Sequence, residues 1–274
     1  MPGNSSVWQL NLMCLNGKFK ICCAAARRLL GVVASLAIVA SSVSVAGAQG
    51  ALSYPYLDGA EAGFPAYRKV AERAARGYVM VTLLARPDPA TREGGGELHT
   101  GSGIVLNRDG YILTAAHIAR GPEFAVRVRL ADGRTLPAEV VKVSAKQELA
   151  VLRTSPLPDA EPIVFADSRF VKRGDAALAL GSPRRVWGVV SVGRVRVPNI
   201  GERLDYGNWG FDNAIEIGME VESGHSGGPV VNAKGELIGM VAGYELGDTT
   251  KPQYRSPRIT YAVPANDIKK WLGW

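Results

Sequence analysis

Gly224-His225-Ser226-Gly227-Gly228-Pro229 is the stretch from which this sequence is read most directly. A serine framed by glycines allows a tight turn that exposes the hydroxyl and directs backbone N–H groups toward one point. In that geometry the N–H groups of Gly224 and Ser226 would receive the oxyanion of a tetrahedral intermediate. A nucleophilic serine also needs a base. The chain has only three histidines, His99, His117 and His225. His117, in Thr114-Ala115-Ala116-His117, follows an apolar run and is the candidate base. Taken singly, Gly-x-Ser-Gly-Gly is a strand-connecting turn and His117 a structural histidine. Taken together and in this order, they point to a nucleophile and its proton acceptor.

The segments around these two motifs read as strands. Tyr78–Leu84 is rich in β-formers. Gly103–Leu106 and Tyr111–Thr114 form the arms of a hairpin, with Asn107, Asp109 and Gly110 at its reversal. Phe124–Leu130 alternates, with Val126, Val128 and Leu130 on one face and Arg127 and Arg129 on the other. Asp132-Gly133 marks a further hairpin. Ala138–Val143, Leu149–Arg153, Ala176–Leu180, Val186–Val197, Ala214–Val221, Val230–Val231 and Leu237–Val241 continue the series. Many short strands with Gly, Pro, Asp and Asn turns indicate an all-β barrel or sandwich. Pro65–Arg76 predicts a short N-terminal helix and Pro264–Leu272 a closing one, each with proline at its start. Pro87–Leu98 and Asn199–Asp212 read as loops, the second suited to mobility.

The first 48 residues stand apart. They hold no Asp or Glu, carry Lys18, Lys20, Arg27 and Arg28, and end in the apolar run Leu29–Ala48. Ala46-Gly47-Ala48 fits a small-x-small cleavage pattern, so residues 1–48 are expected to be an export signal. The alternative is an uncleaved membrane anchor, since 20 residues can span a bilayer. Initiation at Met13 is compatible with either, and Arg27-Arg28 hints at twin-arginine export. Of the 32 basic residues, four fall in this leader. The remaining 28 against 25 acidic residues leave +3 rather than +7. The residual charge is scattered in short clusters such as Arg184-Arg185 and Lys269-Lys270, so nucleic acid is not an expected partner. Cys14, Cys22 and Cys23 all precede the cleavage point, leaving an exported domain without disulfides. No Cys-x-x-Cys, His-Glu-x-x-His or P-loop pattern is present, so neither a metal nor another cofactor is expected.

Five blocks in order carry a family resemblance: Gly101–Val105 through His117, Glu148–Arg153, Phe165–Pro183, Gly224–Gly239 and Tyr261–Asn266. Over about residues 65–272 the chain resembles the trypsin-like serine proteases, in particular the bacterial HtrA-type (Deg) branch. The resemblance implies two packed six-stranded β-barrels with the reacting groups in the cleft between them. Residues 65–274 would then be one protease domain, with the barrel boundary near 155–170, after an irregular lead-in at 49–64. It also implies an acid immediately before the Leu149–Arg153 strand. The family has Asp there and this chain has Glu148, one methylene longer. Asp132 and Asp109 are lesser candidates, because turns give each an ordinary reason to exist.

The family's PDZ domains are not expected within these residues. His225 stands where the family has Asn or Asp, and a loop-orienting role is expected for it. Glu220 falls where such enzymes place a wall of the primary specificity pocket, and a carboxylate there would favour Lys or Arg in the substrate. A substrate would add as a strand along Gly239–Tyr244, with Ala242, Gly243 and Tyr244 in contact, which favours extended or unfolded polypeptide. The expected activity is an exported serine endopeptidase with a Ser226-His117-Glu148 triad. The competing readings are a catalytically weak or inactive peptide binder, and a self-inhibited enzyme in which Asn199–Asp212 must rearrange.

Overall fold

A computed structural model describes residues 51–53, 64–86, 96–245 and 259–274, with only the backbone described at 64–66. The leader at 1–48, most of the lead-in and most of the Pro87–Leu98 loop lie outside the described residues. Among those described, no helix is long and apolar enough to cross a membrane.

Two closed six-stranded antiparallel barrels form the molecule. The first comprises β1 (Tyr78–Leu84), β2 (Glu97–Val105), β3 (Tyr111–Ala115), β4 (Ala125–Arg129), β5 (Thr135–Ser144) and β6 (Leu149–Arg153), in the order β1-β2-β3-β6-β5-β4. After it come β7 (Ala176–Gly181), β8 (Val189–Val197), the hairpin strands β9 (Leu204–Tyr206) and β10 (Trp209–Phe211), β11 (Ile215–Gly218), β12 (Pro229–Val231), β13 (Leu237–Glu245) and β14 (Ile259–Pro264). The second barrel closes in the order β11-β14-β13-β12-β7-β8, while β9 and β10 pair only with each other. Closure removes the edge strands that an open sheet must protect.

Residue pattern accounts for the strands. In β4, Val126 and Val128 are buried and Arg127 is exposed, the alternation of a half-buried strand. In β6, Leu149 to Leu152 are all buried, because the strand is covered on both faces. The β2–β3 reversal is set by Asn107, whose Oδ1 accepts the N–H groups of Asp109 (3.1 Å) and Tyr111 (3.2 Å). Gly110 there has φ +92°, and a Cβ would sit 2.4 Å from the Thr154 carbonyl oxygen, so only glycine fits.

Helix α1 (Phe64–Ala75) buries Ala71, Ala74 and Ala75 and touches β1 and β7, so it braces the two barrels together. Helix α2 (Ala116–Ala119) is a single turn after β3, and α3 (Ala265–Leu272) closes the chain, ending at Gly273 in the left-handed conformation.

Several features differ from the sequence expectations, among them extended bounds for β5 (Thr135–Ser144) and β13 (Leu237–Glu245) and a shorter β11 (Ile215–Gly218). Strand β2 begins at Glu97, inside the expected loop; Glu97, Leu98 and His99 are exposed, so no apolar alternation marks them. Strand β8 begins at Val189 rather than Val186, because Pro183–Arg185 form a 3-10 turn with Arg184 (φ +52°) and Arg185 (φ +64°) left-handed. Asn199–Asp212 is not an irregular loop but contains the β9–β10 hairpin, reversed at Gly207 with φ +61°. Ser53, in the expected irregular lead-in, forms a parallel bridge to Val189.

Candidate active site

The histidine is positioned by small residues. Ala115, Ala116 and Ala119 are fully buried, which seats the one-turn α2 against the first barrel. His117 is the one residue of that turn left partly open, with a quarter of its side chain exposed.

Glu148 ends the turn between β5 and β6. It has φ +58°, a region a glutamate adopts only at an energetic cost. This conformation folds the residue back on the β3–α2 junction. Its carbonyl oxygen accepts the Ala116 N–H at 3.2 Å, and its Oε1 accepts the His117 N–H at 3.4 Å. The same Oε1 hydrogen-bonds the imidazole Nδ1 of His117. Glu148 is fully buried, so it is not a surface acid. Burial of a carboxylate is costly unless it is paired, and the imidazole is its partner. Its second oxygen, Oε2, is buried with no hydrogen-bond partner. Asp109 and Asp132 sit in the exposed β2–β3 and β4–β5 turns, away from this contact.

The serine turn is held by the first barrel. The Ser102 N–H donates to the Ser226 carbonyl oxygen at 2.8 Å, and the Ser102 hydroxyl donates to the Gly224 carbonyl oxygen at 2.7 Å. The Ser182 N–H reaches the same Gly224 oxygen at 3.0 Å. Tyr78, at the centre of this seam, hydrogen-bonds both Ser102 (3.0 Å) and Ser182 (2.5 Å) through its hydroxyl. Gly224 (φ +108°) and Gly227 (φ +85°) are left-handed, and a Cβ on Gly227 would lie 2.2 Å from the Ser102 carbonyl oxygen. That approach packs the turn against Thr114 and Ala115, next to the histidine segment. Among the described residues, the Gly224 and Ser226 N–H groups have no backbone acceptor, and the Ser226 hydroxyl makes no hydrogen bond to His117. In unliganded enzymes this contact often closes only when substrate is present.

His225 is fully buried beneath the turn. Its Nδ1 lies 3.1 Å from the Glu222 carbonyl oxygen and 3.2 Å from the Glu222 N–H, and its Nε2 lies 3.4 Å from the Ser191 hydroxyl. Burial pushes its pKa down to about 4, so it is neutral near pH 7 and braces the loop as a polar strut. A Cβ on Gly181 would meet its ring at 2.4 Å, so the strand beside it must be bare. His99 is exposed on β2, 2.6 Å from an Arg120 guanidinium nitrogen; partial desolvation first, then the Arg120 and His117 charges, hold it below its ordinary value.

Strand β13 runs past the site. Its pairing with β12 ends at Met240, so among the described residues Gly243 to Glu245 pair only with β14 on the other side. A bulge falls between Val241 and Gly243, leaving Ala242 outside the β13–β14 register. Ala242 is buried, Gly243 half-buried and Tyr244 exposed. Tyr244 also lines a cleft of about 590 Å³ with His99, Arg184, Arg185, Glu222 and Ser223. Glu220 is exposed on the segment after β11 and does not line that cleft.

Sequence reasoning missed Tyr206. Its ring meets His117 edge to face, with centroids 6.2 Å apart at 77°, and its hydroxyl donates to the Ala242 carbonyl oxygen at 3.3 Å. The Gly207-Asn208 turn pair between Tyr206 and Trp209 was the available signal.

The trypsin-like peptidase domain profile matches residues 101–240. A probable periplasmic serine endoprotease DegP-like of Brucella suis is 32% identical over 171 residues, 62% of this chain and 31% of the relative. A probable periplasmic serine protease do/HhoA-like of Haemophilus influenzae is 31% identical over 167 residues, 61% of this chain and 34% of the relative. Serine protease HTRA1 of Xenopus tropicalis is 29% identical over 174 residues, 63% of this chain and 35% of the relative. The chain thus spans about a third of the length of the curated relatives it matches.

Proposed function

The chain belongs to the trypsin-like peptidase domain family, and on that premise we propose that it is an exported serine endopeptidase acting through Ser226, His117 and Glu148. Ser226 Oγ attacks the scissile carbonyl carbon while His117 Nε2 takes the hydroxyl proton. The Gly224 and Ser226 N–H groups receive the oxyanion. His117 then gives the proton to the leaving amine as the C–N bond breaks, leaving an acyl-enzyme that water hydrolyses with His117 again as base. Glu148 holds Nδ1–H, fixing the tautomer and stabilising the imidazolium.

The observation that carries this reading is the buried Glu148–His117 pair. The left-handed backbone at residue 148 and the bond from its Oε1 to the His117 imidazole support a glutamate in the acid role. Substrate is read as a strand added beside Ala242, Gly243 and Tyr244, where β13 has an open edge. That mode selects extended polypeptide. The names of the bacterial relatives support export to the periplasm.

A second reading, a protease-fold peptide binder of low activity, is favoured by one observation: Glu148 Oε2 has no partner. A fluorophosphonate probe separates the two. The enzyme reading expects labelling of the folded protein that vanishes in Ser226→Ala, together with cleavage of an unfolded polypeptide. Absence of both in well-folded protein would contradict the active enzyme and support the binder.

A further inference from the structure

The hairpin β9–β10 belongs to neither barrel, yet it is fixed against the turn that carries Glu148. The Gly210 N–H donates to the Ala145 carbonyl oxygen at 3.0 Å, and the Arg203 guanidinium donates to the Lys146 carbonyl oxygen at 3.0 Å. Arg203 is itself held by Asp205 at 2.9 Å. A Cβ at Gly210 would lie 2.7 Å from the Leu204 carbonyl oxygen, so a side chain there would force the hairpin backbone to shift. At its base, the Ile200 N–H donates to the Ala214 carbonyl oxygen at 3.0 Å. The hairpin therefore presents one residue, Tyr206, to three groups of the candidate site at once: the His117 ring, the Glu148 carboxylate and the Ala242 carbonyl.

Resting on the endopeptidase reading above, we propose that Tyr206 is a positioning residue of the triad, whose hydroxyl supplies the hydrogen bond that Glu148 Oε2 lacks and whose ring edge fixes the plane of His117. Glu148 needs such a donor. A buried carboxylate oxygen without one forfeits the stabilisation of a hydrogen bond to a charged group. The Tyr206 hydroxyl lies against that carboxylate: after burial, the nearby Glu148 charge is the main reason its ionisation is suppressed. A phenol has one hydrogen to give. In the structure it goes to the Ala242 carbonyl oxygen, through a long bond. Ala242 lies on the open edge of β13, where a substrate N–H can replace it as donor. The tyrosine hydrogen then passes to the carboxylate, the stronger acceptor. Substrate docking and acid orientation become coupled through one side chain. Phe211 backs the ring, with centroids 6.5 Å apart at 85°, so the phenol has little freedom other than rotation of its hydroxyl.

The test compares the full chain with Tyr206→Phe, which keeps the ring and its packing. Removing the donor makes Oε1 the sole outlet of the carboxylate, so the His117 Nδ1–H bond strengthens. Because the tyrosine hydrogen reaches the carboxylate only once the β13 edge is filled, the measurement is made in a Ser226→Ala background saturated with the unfolded polypeptide, where, in protein labelled with 15N-histidine, the His117 Nδ1–H resonance is expected to move downfield on Tyr206→Phe. His99, whose charge environment includes His117, is followed through its own signals. Turnover of an unfolded polypeptide is expected to fall about tenfold in kcat with KM changed less than twofold. In a Glu148→Gln background the same substitution is expected to change kcat less than twofold. An unmoved resonance overturns the proposal whatever the kinetics, as does a loss confined to KM, which would leave Tyr206 as a brace for Ala242 only. If the parent protein shows no turnover, the endopeptidase reading fails, while the resonance still decides whether Tyr206 serves Glu148.

Discussion

At the scale of single residues, two histidines in one domain are put to opposite uses. His117 is left partly open against a buried carboxylate, which suits a group that must carry a proton for part of a cycle. His225 is sealed under the serine turn and kept neutral. Its effect on stability follows from linkage. It titrates near 4 in the fold, against an ordinary value of 6.5. Between those values the unfolded chain binds a proton that the folded chain refuses, so stability falls as pH drops from about 6.5 toward 4 and is untouched by this group above that window. The full effect is on the order of 3 kcal/mol. Urea midpoints at pH 7 and pH 4.5 should therefore differ less in His225→Asn than in the parent; an identical difference would remove His225 as the cause. The serine turn and His117 were legible in the sequence because glycine and small-residue contexts leave local marks. Glu148 was legible only through the family resemblance. It meets His117 from a backbone of positive φ, which no side-chain pattern announces.

At the scale of elements, the serine turn is gripped by β2 of the other barrel. Ser102 binds the Ser226 and Gly224 carbonyl groups with its backbone and side chain. The orientation of the proposed oxyanion site thus depends on a residue 122 positions away in sequence. Ser102→Ala is expected to cost about 1–2 kcal/mol of stability and to lower kcat severalfold with little change in KM. A pure stability effect with unchanged kcat would show that the turn holds its shape alone. Most strands were legible because alternation and turn residues coincide, as in β4 and at Asn107–Gly110. The start of β2 was not, because Glu97 to His99 pair at an exposed rim where no apolar face is required. The β9–β10 hairpin was hidden for a related reason. Its strands are three residues each, too short for periodicity to separate from a loop, and its position comes from tertiary bonds to Ala145 and Lys146.

At the scale of the whole molecule, the two barrels divide the proposed work. The first supplies His117 and Glu148, the second supplies Ser226 and the strand edge, and α1, Tyr78 and Ser102 lock them together. The architecture was legible as all-β from strand count, but its division into two closed barrels rested on the resemblance, since closure depends on which strands pair. The central claim is that Glu148 acts on Ser226 through His117. The rate of covalent labelling by a fluorophosphonate measures that relay at the serine itself. It is expected to fall by orders of magnitude in Glu148→Ala, toward the roughly 10⁴-fold loss typical when the orienting acid is removed, while Glu148→Asp retains measurable labelling. Equal labelling rates in the parent and Glu148→Ala would contradict the account.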